Sequence, residues 1–443
     1  MSEAANSREG RLARVIGTWG LAASIVNVTV GGGIFRLPAS VEVSGRLGAA
    51  APLAYVVCAL VMALIVLCIA QAGSRVSLTG GPYAYVEETF GPYAGFLVGV
   101  MLWVIFCTAL PAVAGLLADT SVRFLPVVGT PAGRAVFLAV LFALLALVNI
   151  LGVRQGTRLN AVLTVAKLAP LVLLLAAGLL VIHSDNLRWT KGMPALTDLS
   201  RASVFMIFAF AGVESALVPG GEVRDPARTV PRAVFLAMAL ITLLYMGLHI
   251  VAQGVLGPAL VGDATPLATA AGRMFGPIGA TVLSAGFIIS ATGYLSGMSL
   301  SAPRMIFAFA RDGFLPRQLA SVHDRYHTPV VAIMVQSLLA WLLAVTNGFD
   351  RLVIIANVSV ALVYLGCAAA AFKLRNAPRA EGGFSVPGGA SVPVLAAVAV
   401  IFLLTSVTVA EWLVLVEVVA AATAVYLATH RARQGMPAAV RTQ

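Results

Sequence analysis

From Val15 onward the chain is a succession of apolar runs, each near the roughly twenty residues needed to cross about 30 Å of hydrocarbon. Short tracts rich in arginine, glycine and proline part them. Inside a bilayer such a run has one outlet, the helix, because each main-chain N–H and C=O must find a partner within the segment. Twelve runs can be marked: 15–41, 49–72, 93–118, 134–151, 159–182, 202–221, 233–256, 277–301, 329–347, 350–373, 392–408 and 410–429. Of 443 residues 60% are hydrophobic and only 11% charged, against about 25% charged in an ordinary soluble domain. That excludes a soluble enzyme, a disordered chain and a coiled coil, all of which need far more polar surface. The sequence predicts an all-α polytopic membrane protein with twelve transmembrane helices and no separate soluble domain. The longest polar stretches, 74–92, 183–201 and 303–328, read as loops.

The basic residues set an orientation. With the N-terminus inside, 19 of the 29 Lys and Arg fall in inside segments and nine in outside segments, Lys167 being the remainder. The positive-inside rule then puts both termini in the cytoplasm of a cell-membrane protein. The N-terminal segment 1–14 is polar and basic, without the apolar core and cleavage site of a signal peptide, so the first run is expected to be retained. The four cysteines lie within apolar runs with no CxxC and no nearby histidine, so neither a disulfide framework nor a metal site is expected. No cofactor motif is present. Scattered basic residues argue against nucleic acid.

Two runs carry interruptions. The first reads IVNVTVGGGIFRLPASV, with Gly31, Gly32 and Gly33 near its middle. Each glycine in a helix interior costs about 1 kcal/mol relative to alanine, so three together mark an unwinding point. The sixth reads VFMIFAFAGVESALVPGG, with Gly212 and Glu214 in the middle and Pro219 beyond. Glycine-interrupted spans at matching places in two halves point to a transporter site at the midplane. A broken helix leaves N–H groups at one new end and C=O groups at the other. The N–H end attracts a carboxylate and the C=O end accepts from an ammonium group, so a pair of breaks suits a zwitterion. Taken alone, Gly31–Gly33 is also compatible with close glycine packing between helices.

At these residues the sequence resembles the amino acid–polyamine–organocation (APC) permease family. GGGIF at 31–35, GGPYAYVEETFGPYAGFLVGVMLW at 80–103, FAFAGVESA followed by EVRDPARTVPRA, and PRMIFAFARDGFLP at 303–316 carry the likeness, in family order across most of 15–375. Gly221 and Asp225 depart from the acid and asparagine common there. The resemblance implies a LeuT-like fold: two inverted five-helix repeats (15–182 and 202–373) with discontinuous helices 1 and 6, peripheral spans over 392–429, and a cytoplasmic tail over 430–443. It implies secondary transport of amino acids or related amines by alternating access. Carried over by position, N–H groups around Gly32, Gly33 and Ile34 would hold the substrate carboxylate. Carbonyls near Val28, Phe208 and Ala211 would take the ammonium, with Phe208 as an aromatic gate.

Lys167 stands nine residues past Arg158, about 13 Å into the fifth run at 1.5 Å per residue. An ionisable group at that depth is a functional hypothesis by default. The resemblance implies a lysine here in many proton-coupled members, so Lys167 is read as the proton-coupling residue, with a fixed structural charge as the alternative. Glu214 is either a second titratable group or a cap on the N–H groups of its own broken helix. Phe205, Phe208 and Ala211, with Trp103, Cys107 and Thr108 in the third run, are candidates for the side-chain pocket. Ser290, Thr292, Asn357 and Ser359 add polar options. His249 reads as a lone structural histidine, and Glu411 and Glu417 as packing or homo-oligomer contacts. Few acids lie near the midplane, which favours neutral amino acids as the substrate; with Lys167 as the coupling residue the expectation is proton-coupled uptake. The GVESA tract, similar to that of arginine/agmatine and polyamine antiporters, keeps a substrate/product exchanger of cationic amino acids or polyamines open. An ion channel is the competing class.

Overall fold

The computed structural model describes residues 14–35, 37–39, 47–76, 78–122, 124–188, 192–195, 206, 209–263, 265–346, 349–376, 384–404 and 409–434. The described residues form helices α1 (Thr18–Thr29), α2 (Ala51–Gly73), α3 (Pro82–Phe90), α4 (Pro92–Ser121), α5 (Pro131–Ile150), α6 (Val153–Val181), α7 (Val213–Ala216), α8 (Pro226–Leu256), α9 (Pro266–Arg311), α10 (Val330–Thr346), α11 (Phe349–Leu374), α12 (Ser391–Leu404) and α13 (Val409–Gln434). Proline in the first turn opens α3, α4, α5, α8 and α9. Its missing N–H is no loss there, and its fixed φ suits the helix. Thr130 adds a cap to α5, its hydroxyl accepting from Gly133 N–H at 3.0 Å.

Among the described residues six helical stretches are long and apolar enough to cross a membrane: Gly48–Gly73, Pro92–Ser121, Pro131–Ile150, Ala161–Val181, Pro226–Leu260 and Pro266–Arg311. Val330–Thr346, Ser359–Leu374, Ser391–Phe402 and Leu415–Thr429 are shorter apolar helices. α9 is two helices in line: Gly276 (φ 68°, ψ −161°) breaks it just before Pro277, where the eighth run was expected to begin. α1 packs on α6, α8 and α9, with the short α7 also against it. Its Leu21, Ile25 and Val28 are buried, whereas Val165 and Leu180 of α6 are exposed on the outer surface. α13 docks on α4 and α11, with the Tyr93 and Tyr426 rings 5.0 Å apart.

Two stretches expected to be loops are partly helical. Within 74–92 lies α3, entered through Gly80 (φ 128°) and Gly81 (φ 54°), with Tyr83, Tyr85 and Val86 buried. The polar Glu87 and Glu88 hid an amphipathic helix with one docked face. Within 303–328 the helix α9 runs on to Arg311. Arg304, read as loop charge, is fully buried against Glu222.

Candidate functional site

α1 stops at Thr29, and Val30 leaves the helical basin (φ −77°, ψ 74°). Gly31 N–H turns back to Thr29 O at 2.9 Å, and the chain enters a 3-10 turn over Gly32–Phe35. The carbonyls left at a helix end need donors, and in hydrocarbon each unmet group costs several kcal/mol. Side chains of three other helices supply them. Lys167 Nζ of α6 donates to Asn27 O at 2.7 Å and Val30 O at 2.6 Å. Tyr245 Oη of α8 donates to Thr29 O at 3.0 Å. Ser290 Oγ of α9 lies 3.1 Å from both Val30 O and Gly31 O. A cation at the carbonyl end of a helix also meets the negative end of its dipole. Asn27 Nδ2 donates in turn to Gly293 O at 2.6 Å, which fixes α1 against α9.

The second break is at Gly212, whose φ of 132° is open to glycine and costly for other residues. Its N–H donates to both Glu214 oxygens, at 2.9 and 3.0 Å. A carboxylate reaching back to the N–H at the helix entrance meets a donor that the helix start leaves without a main-chain partner. Tyr364 Oη of α11 donates to Glu214 Oε2 at 3.0 Å. The two breaks meet. A Cβ on Gly212 would lie 3.0 Å from Thr29 Oγ1 and 3.1 Å from Thr29 N. Tyr245 Oη also lies 3.3 Å from Ala209 O, so one hydroxyl bridges carbonyls of both interrupted segments.

The expected site residues divide. Val28, Gly31, Ile34, Gly212, Glu214 and Lys167 are buried in this region, and Ala211 is half-buried beside it. Gly31 is pressed against Tyr294, where a Cβ would come within 3.1 Å of the ring, so close packing holds for that glycine. Gly33 is exposed, with nothing within 4 Å of an added Cβ. Of Gly32 only the backbone is described, and Phe205 and Phe208 lie outside the described residues. Trp103 turns to α10, its indole N–H donating to Gln336 Oε1 at 3.1 Å. Thr108, Thr292 and Ser359 donate to carbonyls of their own helices. Ser290 alone of the polar extras named from the sequence hydrogen-bonds to the first break among the described residues. Asn357 and Glu411 have no described side chain; Glu417 is exposed and Cys107 half-buried.

His249 is not alone: Tyr55 Oη pairs with its Nδ1 at 3.3 Å. Sequence reasoning missed Tyr245, Tyr364, Gly293 and Gly297. An aromatic or a glycine in an apolar run is ordinary background, and only its partner marks it out. Asn27, a lone amide in such a run, was a usable signal. Among the described residues no cluster of three or more His, Cys, Asp and Glu could hold a metal.

Comparison with known proteins agrees with this architecture. Residues 16–440 match the family model described as amino acid permease. The serine/threonine exchanger SteT of Bacillus subtilis (strain 168) is 29% identical over 397 residues, 87% of this chain and 89% of the relative. The methylthioribose transporter of the same organism is 28% identical over 440 residues, 95% and 94% of the two chains. The human large neutral amino acids transporter small subunit 2 is 27% identical over 358 residues, 77% of this chain and 66% of its own length. This integral membrane protein of helices thus belongs to the amino acid permease family, a family of transporters and not of enzymes.

Proposed function

We propose that this chain carries neutral amino acids across the cell membrane by alternating access, coupled to protons. In this reading it has twelve spans with both termini in the cytoplasm. The repeats 15–182 and 202–373 form the transport core, and 392–429 is peripheral to it. The observation that carries the reading is the meeting of the two interrupted helices at Gly212, Thr29 and Tyr245. A zwitterion needs an N–H end and a C=O end at one point, and two breaks in contact supply both. The open space at Gly33 leaves room for a carboxylate to approach main-chain N–H groups there. Phe205, Phe208, Ala211, Trp103 and Thr108 remain the proposed side-chain pocket.

Two observations favour a neutral substrate. Glu214, the acid a cationic side chain would seek, already accepts from Gly212 and Tyr364. The names of two relatives specify serine, threonine or large neutral amino acids. Lys167 is the proposed proton-coupling residue, with Glu214 second. Losing the proton from Lys167 would weaken its hold on the Asn27 and Val30 carbonyls and so bias the arrangement of α1. The test is uptake of radiolabelled serine into proteoliposomes with and without an inward proton gradient. Gradient-stimulated uptake by the parent, absent in Lys167→Ala and Lys167→Arg, is expected. PH dependence unchanged in both variants would refute the coupling.

A second reading is obligatory exchange with Lys167 as a fixed charge. Its two carbonyl partners suit a permanent strut, and one relative is named an exchanger. Preloading with unlabelled serine separates the readings: exchange gives trans-stimulation and no gradient response. A channel would instead give single-channel currents.

A further inference from the structure

At the ends remote from the breaks, Glu222 joins three parts of the chain. Its main-chain carbonyl accepts from Val15 N–H and Ile16 N–H, both at 3.0 Å, ahead of α1. Arg224 N–H donates to Ile16 O at 2.9 Å, completing a parallel bridge between Ile16 and Val223. The segment before the first interrupted helix and the segment after the second are therefore paired through main chain and are built to move together. The Glu222 carboxylate reaches the other way, to Arg304 Nε of α9 at 3.2 Å, with both side chains fully buried. The loop 78–81 closes over the same place: Gly80 N–H donates to Val218 O at 2.8 Å, and a Cβ on Gly220 would lie 2.6 Å from Leu78 O.

The ion pair is loosely made for so buried a place. A guanidinium offers five N–H donors, yet Arg304 Nη1 and Nη2 meet no hydrogen-bond partner among the described residues. Desolvation of two buried charges can exceed their attraction unless the remaining donors are also met. Such a pair is close to balance and gains hydration as soon as the surrounding segments part. Main-chain pairing between 14–16 and 222–224 carries no such penalty and stays intact.

We propose that Arg304–Glu222 is a latch. It holds the paired segments 14–16 and 222–224 against α9, keeping the mouth on the N-terminal side closed. Opening swings those segments away as one piece and hydrates both charges. This rests on the transporter reading above and adds to it the residues that govern one gate.

The test uses a reporter cysteine, Ser24→Cys, at a buried position of α1. Its labelling by a membrane-impermeant maleimide is timed on the purified full chain, with the unsubstituted protein as background. The double variant Glu222→Met/Arg304→Met removes both charges of the pair. It is expected to label faster by about tenfold, the ratio that a shift of about 1.4 kcal/mol in the opening equilibrium gives. Arg304→Lys, which keeps the charge but not the Nε contact, is expected to fall between double variant and parent. Arg188→Ala, at an exposed position outside the paired segments, should label at the parent rate. Parent-like labelling in a double variant that elutes and melts as the parent does would overturn the latch. If the double variant aggregates, Arg304→Lys decides alone, and an unchanged rate overturns it. Uptake is measured on the same preparations. A reporter that responds where no preparation takes up amino acid leaves the latch standing and removes the substrate reading. Intact uptake with a silent reporter does the reverse.

Discussion

Gly212 couples backbone conformation to contact. With φ at 132° and Thr29 Oγ1 3.0 Å from where a Cβ would stand, alanine there is strained twice. Forcing a non-glycine residue into such a region costs of order 1–3 kcal/mol, and the neighbouring break must shift as well. Gly212→Ala is expected to lower the thermal midpoint in detergent and to abolish uptake; normal transport by this variant would contradict the role given to the break. Tyr245→Phe removes one hydroxyl shared by the Thr29 and Ala209 carbonyls. A loss of about 1 kcal/mol is expected, with a larger effect on transport rate than on the melting curve. Legibility at this scale follows contrast. A lysine or a glycine trio stands out in an apolar run, so Lys167 and Gly31–Gly33 could be named from sequence. Tyr245 and Tyr364 could not, because a tyrosine in a span is unremarkable until its hydroxyl is seen to meet a carbonyl or Glu214.

Among the elements, α9 does most to shape the site. Gly286, Ser290, Gly293 and Gly297 recur at helical spacing along one face. They receive in turn Pro170, the Val30 and Gly31 carbonyls, Asn27 with Lys167, and Val28. A Cβ on Gly293 would lie 2.9 Å from Lys167 Cε, and one on Gly297 would collide with Val28. Overpacking of this kind costs about 1–3 kcal/mol. Gly293→Ala and Gly297→Ala should each lose stability of that order and impair transport. Gly272→Ala, in the part of α9 ahead of the Gly276 break, meets only Ala280 at an ordinary 3.5 Å. It should be neutral or stabilising by up to about 1 kcal/mol. Thermal melts of the three variants check the contrast. Small residues spaced for close packing were legible as a principle, but the sequence drew attention to the glycine trio just after α1. The longer seam on α9 needed its partners before it could be recognised.

At the scale of the whole molecule, apolar run length made the helices readable. The runs at 49–72, 93–118 and 350–373 correspond closely to α2, α4 and α11. What composition could not convey is where polar residues lie inside. Arg304 and the docked face of α3 read as loop because charge marks a surface unless a buried partner such as Glu222 accounts for it. The central claim is that two interrupted helices together recognise the amino and carboxyl groups of one small zwitterion. It is tested most directly by competition against radiolabelled serine uptake in proteoliposomes, using serine, its decarboxylated amine and its deaminated acid. The account predicts inhibition by the intact amino acid and at least about tenfold weaker inhibition by either truncated compound, since each leaves one set of main-chain groups unmet. Equal inhibition by the amine, or by polyamines, would contradict it.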